Sequence, residues 1–141
     1  MFYSISLHPF NIGKKCSKYI NLCSNYKCMI INEKNGKIIA SKVKICKTAL
    51  ELSRGLMFSS RNEDLGMVLE FSNERKVSLH MFFVFYPIDV VFLDASFKVV
   101  EIKKNFMPFT FYNSARKAKY AVELTAQKSE GAHIGDKIKI R

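Results

Sequence analysis

The chain predicts a mainly β domain with one short helix, an α+β protein arranged as a small antiparallel barrel or sandwich. Three observations carry that expectation. Seven or eight short runs rich in β-branched and aromatic residues recur about every dozen positions, the spacing of short strands joined by turns. Only one segment carries both the start and the stop signals of a helix. Apolar residues make up 48% of the 141 positions, twelve of them Phe, against six Gly and three Pro. That composition fills a core and excludes a fibrous repeat or a disordered chain.

The elements follow in order. Met29 to Ala40 reads as two strands around Asn35-Gly36, because Asn-Gly supplies the positive φ of a tight hairpin. Thr48 followed by Glu51 has the spacing of a capping box, so a helix is predicted from about Thr48 to Arg54, with Gly55 placed to stop it. Ser59 to Asp64 is polar and predicts a loop, and Met67 to Phe71 a strand. Ser72 to Lys76 then predicts a turn, and Val77 to Phe85 a strand of strong β propensity. Asp89 to Leu93 and Lys98 to Lys103 form the next pair, joined across Asp94 to Phe97, where Asp and Ser bond their own backbone. Asn105 to Lys117, with Pro108 and several aromatics, predicts a long connection; Tyr120 to Ala126 and Lys137 to Ile140 close the chain as strands, with Gly135-Asp136 as the last turn.

Length implies one domain with a sizeable core. Residues 1–28 differ from the rest, with four Lys, no acid and three of the four Cys. They predict a flexible basic arm, or a segment that is not translated, ahead of a single β-rich domain at 29–141. The Cys spacings match no zinc ribbon, and no phosphate loop is present, so no cofactor and no metal are expected. Cys46 is the cysteine expected in the core. No run reaches the length of a membrane helix, and the first ten residues lack the early positive charge of a signal peptide, so no membrane partner and cytoplasmic residence are the expectations.

The formal charge of +11 points to an anionic partner. Many cations alternate with apolar residues, as in Lys137 to Arg141, which is also the pattern of a solvated strand face. Among candidate site residues, Asp89 shares a strand face with Val91 and Leu93 and therefore needs a partner, for which Arg54 at the helix end is the expected one. Glu123 lies on the face opposite Val122 and Leu124 and meets the same difficulty. Together, Asp89 and Glu123 suggest a carboxylate-dependent hydrolase or isomerase, with Arg54 holding an anion. Phe109, Tyr112 and Arg116 belong to the aromatic, basic connection, which suggests a ligand mouth or, equally, a flap that plugs an open end of the barrel. His80 and Met81, near Met57 and Met67, are soft enough for copper, although thioethers among Leu, Phe and Val more simply fill a core.

Arg54-Gly55-Leu56-Met57-Phe58, Gly66-Met67 with Phe71, Met81, Pro87 to Asp94, Pro108, Tyr120 to Leu124 and Gly135-Asp136 resemble, in order and spacing, the family called domain of unknown function 192, also uncharacterised protein family 0127. The resemblance covers about Ile30 to Ile140. It implies a compact β-rich domain with a short helix, and no established activity. The chain departs from the family pattern at His80-Met81-Phe82-Phe83-Val84, where Trp-Met-Lys-Asn-Thr is usual, and at Gln127, where Gly is usual. The leading functional expectation is a small binding module that grips a small anionic or extended ligand between Arg54 and the Pro108 segment. Nucleic-acid binding through Lys103, Lys104, Arg116, Lys117 and Lys119 is the further alternative.

Overall fold

The computed structural model describes residues 28–141, so the expected basic arm up to residue 27, with Cys16 and Cys23, lies outside the described residues. Strands β1 (Ile30–Asn32) and β2 (Ile38–Ala40) form the hairpin predicted from Asn35-Gly36, and Gly36 takes a φ of 68°. Strand β3 (Lys42–Cys46) follows, then helix α1 (Ala49–Arg54). Thr48 Oγ1 accepts from Glu51 N, and Glu51 Oε2 accepts from Thr48 N, which completes the capping box. Strands β4 (Leu65–His80), β5 (Ile88–Leu93), β6 (Val99–Phe106) and β7 (Phe111–Thr125) come next. A 3₁₀ turn at Lys128–Gly131 and strand β8 (Ile138–Ile140) complete the chain.

The strands form two sheets, ordered β2-β1-β8 and β3-β4-β7-β5-β6. The sandwich alternative therefore holds and the closed barrel does not. Pairing is antiparallel except between β3 and β4, which run parallel. Alternation divides the large sheet into two apolar faces. Val68, Val91, Leu93, Val122 and Leu124 pack against Ile30, Ile39, Ile138 and Ile140 of the small sheet. Gly66 lies where the sheets touch, since a Cβ there would stand 2.6 Å from Ile30 Cδ1. On the other face, Met67, Leu69, Val90, Phe92 and Ala121 pack with Cys46, Leu56, Val77, Leu79 and Met81.

Three segments differ from expectation. Ser72 to Lys76 is no turn but part of β4, where four residues, Phe71 to Glu74, bulge opposite Lys119 alone. Its polar groups hold the bulge in place: Lys119 Nζ donates to Ser72 O at 2.9 Å, and Glu74 Oε1 accepts from Ala95 N at 2.6 Å. The predicted strand to Phe85 stops at His80, because Phe83 turns the chain with a φ of 56°. Asn105 to Lys117 is strand at both ends, leaving only Met107 to Thr110 as a connection. As a result, the outer halves of β4 and β7 extend as a two-stranded ribbon. Its bulge is filled by Ser114, whose Oγ accepts from Val77 N and donates to Arg116 O, each at 2.8 Å.

A buried polar lock ties the small sheet to the last turn. Asn32 Nδ2 donates to Asp136 Oδ2 at 2.7 Å and to Gly131 O at 2.8 Å. That bond from Asn32 leads the interactions that hold the Asp136 carboxyl below its usual range. Strands β1 and β8 are paired to their ends, where Met29 and Arg141 exchange both backbone hydrogen bonds. Among the described residues, no helix is long and apolar enough to cross a membrane.

Candidate binding surface

Asp89 does not meet Arg54. Its carboxylate is buried and accepts from four donors: Asn105 N at 2.9 Å, Gln127 N at 2.9 Å, Ser129 N at 3.2 Å and Ser129 Oγ at 2.6 Å. Backbone amides and one hydroxyl thus replace the expected guanidinium, and Asp89 fastens the 3₁₀ turn and the end of β6 to β5. Arg54 is exposed and takes part in no ion pair among the described residues.

Glu123 is buried on the other face. The register pairs Val90 with Glu123 and Asp89 with Leu124. Residues directly opposite share a face, so the two carboxylates project from opposite sides of the sheet. The acid–base pair expected from the sequence is therefore not assembled. Glu123 instead lies under the end of α1, where a Cβ on Gly55 would stand 3.2 Å from Oε2. Gly55 has a φ of 45°, so the position favours glycine for its backbone and for its closeness to the carboxyl. Oε2 has no hydrogen-bond partner, and burial pushes the Glu123 pKa up to about 7. Burial also raises the nearby Cys46 thiol to about 11, which keeps it protonated and unreactive.

Tyr112 and Arg116 are brought together by a residue the sequence did not single out, Glu101. The Tyr112 hydroxyl donates to Glu101 Oε1, and the backbone amides of Ala115 and Arg116 donate to the same carboxylate at 3.2 and 2.8 Å. Burial works to raise the Glu101 carboxyl, but these donors outweigh it and hold the group below its usual range. The bond to Glu101 in turn raises Tyr112 to about 12. This cluster ties the β7 part of the ribbon to β6 and fixes the Tyr112 ring. Met81 is core filling, His80 is half-buried, and among the described residues no group of His, Cys and acidic side chains converges as a metal site.

The surface feature that hydrophobicity concealed is an aromatic rim. Of the ten large hydrophobic residues exposed among those described, seven sit on three adjoining segments. The first follows α1 and carries Phe58, 69% exposed. The second, after β4, carries Phe82, Phe83 and Phe85, and the third, running from the β6–β7 connection into the start of β7, carries Met107, Phe109 and Phe111. The rings meet in three pairs: Phe58 stacks on Phe83 at 4.9 Å, while Phe82 meets Phe111 at 4.9 Å and Phe85 meets Phe109 at 5.7 Å, both edge-on. The segments are joined through main chain, with Phe58 N donating to Phe83 O and Phe109 N to Met81 O, each at 2.9 Å. Phe58, Phe83 and Phe109 all have left-handed backbones, with φ of 57°, 56° and 60°. Such conformations cost roughly 1 kcal/mol or more each in a non-glycine residue and persist only where surroundings enforce them. Phe82 and Phe83 occupy the positions where the resembled pattern carries Lys and Asn. An open cleft of about 460 Å³ is lined by Pro87 and Asn105, residues close in sequence to the rim segments, with Arg61, Lys104, Asp89 and Glu130 also on its walls.

Known proteins match this chain in sequence and in fold. The model of the DUF192 family, described as Uncharacterized ACR, matches residues 30–140. A UPF0127 protein of Thermococcus sibiricus is 38% identical over 113 residues, covering 78% of this chain and 73% of that protein. One from Pyrococcus horikoshii is 32% identical over 113 residues, covering 79% of this chain and 97% of its own length. A crystal structure from Sinorhizobium meliloti, of a protein provisionally named a transcription regulator, superposes with a TM-score of 0.72 at 22% identity. It spans 81% of this chain and 92% of that one, and at such identity the likeness is one of fold. With the matched region running from the first strand of the small sheet to its last, the chain belongs to the DUF192 (UPF0127) family.

Proposed function

We propose that the domain is a binding module whose recognition surface is the aromatic rim, and that its ligand is a small molecule with a planar ring and an anionic group. The observation that carries this reading is the gathering of seven exposed apolar side chains on three segments bonded to one another. Exposed apolar patches of this kind mark interaction sites, and the left-handed backbones at Phe58, Phe83 and Phe109 are the local strain that binding surfaces tend to retain. Charge on the rim favours the anion. Residues 80–88 and 102–112 contain Lys103 and Lys104 and no acid. Lys104 stands on the wall of the cleft, whose carboxylate Asp89 is already bonded to four donors. The ring pairs offer the ligand further edges and faces for stacking.

The test is a thermal-shift screen with mononucleotides and aryl carboxylates on the full chain. A ring-bearing anion is expected to raise the melting temperature, and a Phe83→Ala, Phe109→Ala double variant that melts as the parent does is expected to lose that response. A screen in which nothing shifts the melt, or a double variant that keeps the full response, would overturn the reading.

A further inference from the structure

We infer that the outward face of the β4–β7 ribbon is a binding strip for single-stranded nucleic acid, stacking a base on Phe111 and Phe82 and seating phosphates on Lys76 and Lys117. The inference rests on the reading of the rim as a ring-binding surface and extends it along the ribbon, because the Phe82–Phe111 contact joins the two.

The register sets the order of groups on that face. His80 is opposite Phe111, Ser78 opposite Asn113, and Lys76 opposite Lys117. Val77 and Leu79 point the other way, into the core. The strip therefore runs from aromatic rings, through the hydrogen-bonded hydroxyl and amide of Ser78 and Asn113, to a pair of ammonium groups. Four residues of strand separate its ends, about 13 Å. Rings for base faces, neutral hydrogen-bonding groups for sugar and cations for phosphate form the sequence of chemistry that a single strand presents. A membrane-inserting tip would instead present continuous apolar surface with no polar step between rings and cations.

Charge supplies an independent argument. Like charges directly opposite on a sheet repel, so Lys76 and Lys117 disfavour their own pairing. Every ion pair among the described residues lies elsewhere, and the ribbon cations Arg75, Lys76, Arg116, Lys117 and Lys119 enter none of them. The nearby acids are otherwise engaged, Glu101 by Tyr112 and backbone amides and Glu74 by Ala95 N. Arg75 lies over the Phe71 ring, Lys119 donates to Ser72 O and Arg116 acts on Glu101, so Lys76 and Lys117 are the pair of ribbon cations that the fold leaves for an anion from outside.

The experiment is fluorescence anisotropy of a short fluorescein-labelled oligothymidylate with the full chain, across a series of KCl concentrations. Binding is expected to weaken with salt. Phe111→Ala, at an exposed ring, is expected to lower affinity about 10- to 100-fold. Lys76→Gln with Lys117→Gln is expected to reduce the slope of log K against log salt by about 1.4, from two lost phosphate contacts at about 0.7 each. Salt-sensitive binding that neither change alters would overturn the inference, as would binding to vesicles of phosphatidylserine without binding to the oligonucleotide. Failure of the oligonucleotide to bind while mononucleotides or aryl carboxylates still raise the melting temperature defeats the strip and leaves the rim standing. Failure of both defeats both.

Discussion

Glu123 is the residue whose chemistry departs furthest from its surroundings. An unfolded glutamate titrates near 4.5, whereas this one, buried with an unpartnered oxygen, titrates near 7. Between those values the folded protein holds the proton and the unfolded chain does not, so stability is lost as pH rises across that window. The shift corresponds to a loss on the order of 3 kcal/mol across the whole window. Urea unfolding of the parent and of Glu123→Gln from pH 4.5 to 8 is expected to show a falling stability for the parent relative to the variant, which carries no proton to lose. A constant difference across that range would show that the buried carboxyl does not titrate as its environment dictates. Gly55→Ala tests the same locus from the other side, since it combines a strained positive φ with a methyl group 3.2 Å from Oε2. A loss of roughly 1–3 kcal/mol in the same unfolding assay is expected.

At the scale of elements, the ribbon depends on one hydroxyl. Ser114 Oγ stands in for the ladder partner that Val77 N lacks at the bulge. Ser114→Ala leaves that amide unsatisfied and is expected to cost about 1–2 kcal/mol, with faster hydrogen exchange at Val77 while β5 stays protected. Elements with local signals were legible in the sequence. The Asn35-Gly36 hairpin, the Thr48–Glu51 capping box and the Asp94–Ser96 turn each announce themselves through side chains bonding their own backbone. The Ser72 to Lys76 segment misled for the complementary reason. Its polar composition is that of a turn, yet its partners are Lys119 and the amide of Ala95, which sequence distance hides. Strand β3 carried a signal that went unread, the alternation Lys42-Val43-Lys44-Ile45.

Over the whole molecule, the architecture was legible and the surface was not. Alternation reveals two faces on a strand but not which partner covers each, so Asp89 and Glu123 looked like a pair until register set them back to back. Phe82, Phe83 and Phe85 were read as the end of a strand, because an apolar, aromatic run of that length has strong β propensity. They stand exposed where the chain leaves the sheet, with a backbone turn that composition does not signal. Arg116, Lys117 and Lys119 were legible as a basic group in sequence, but Arg75 and Lys76 beside them emerge only from the pairing of β4 with β7.

The exchange of hydrogen bonds between Met29 and Arg141 brings both margins of the family-matched region to one corner. Force applied across those two residues meets the β1–β8 seam in the peeling direction, so its bonds break one after another rather than together. Optical-trap pulling from positions 29 and 141 is expected to open the small sheet at low load before the five-stranded sheet yields. Joining the same two positions with a few residues and cutting between Met107 and Thr110 is correspondingly expected to yield a re-threaded chain with the parent topology.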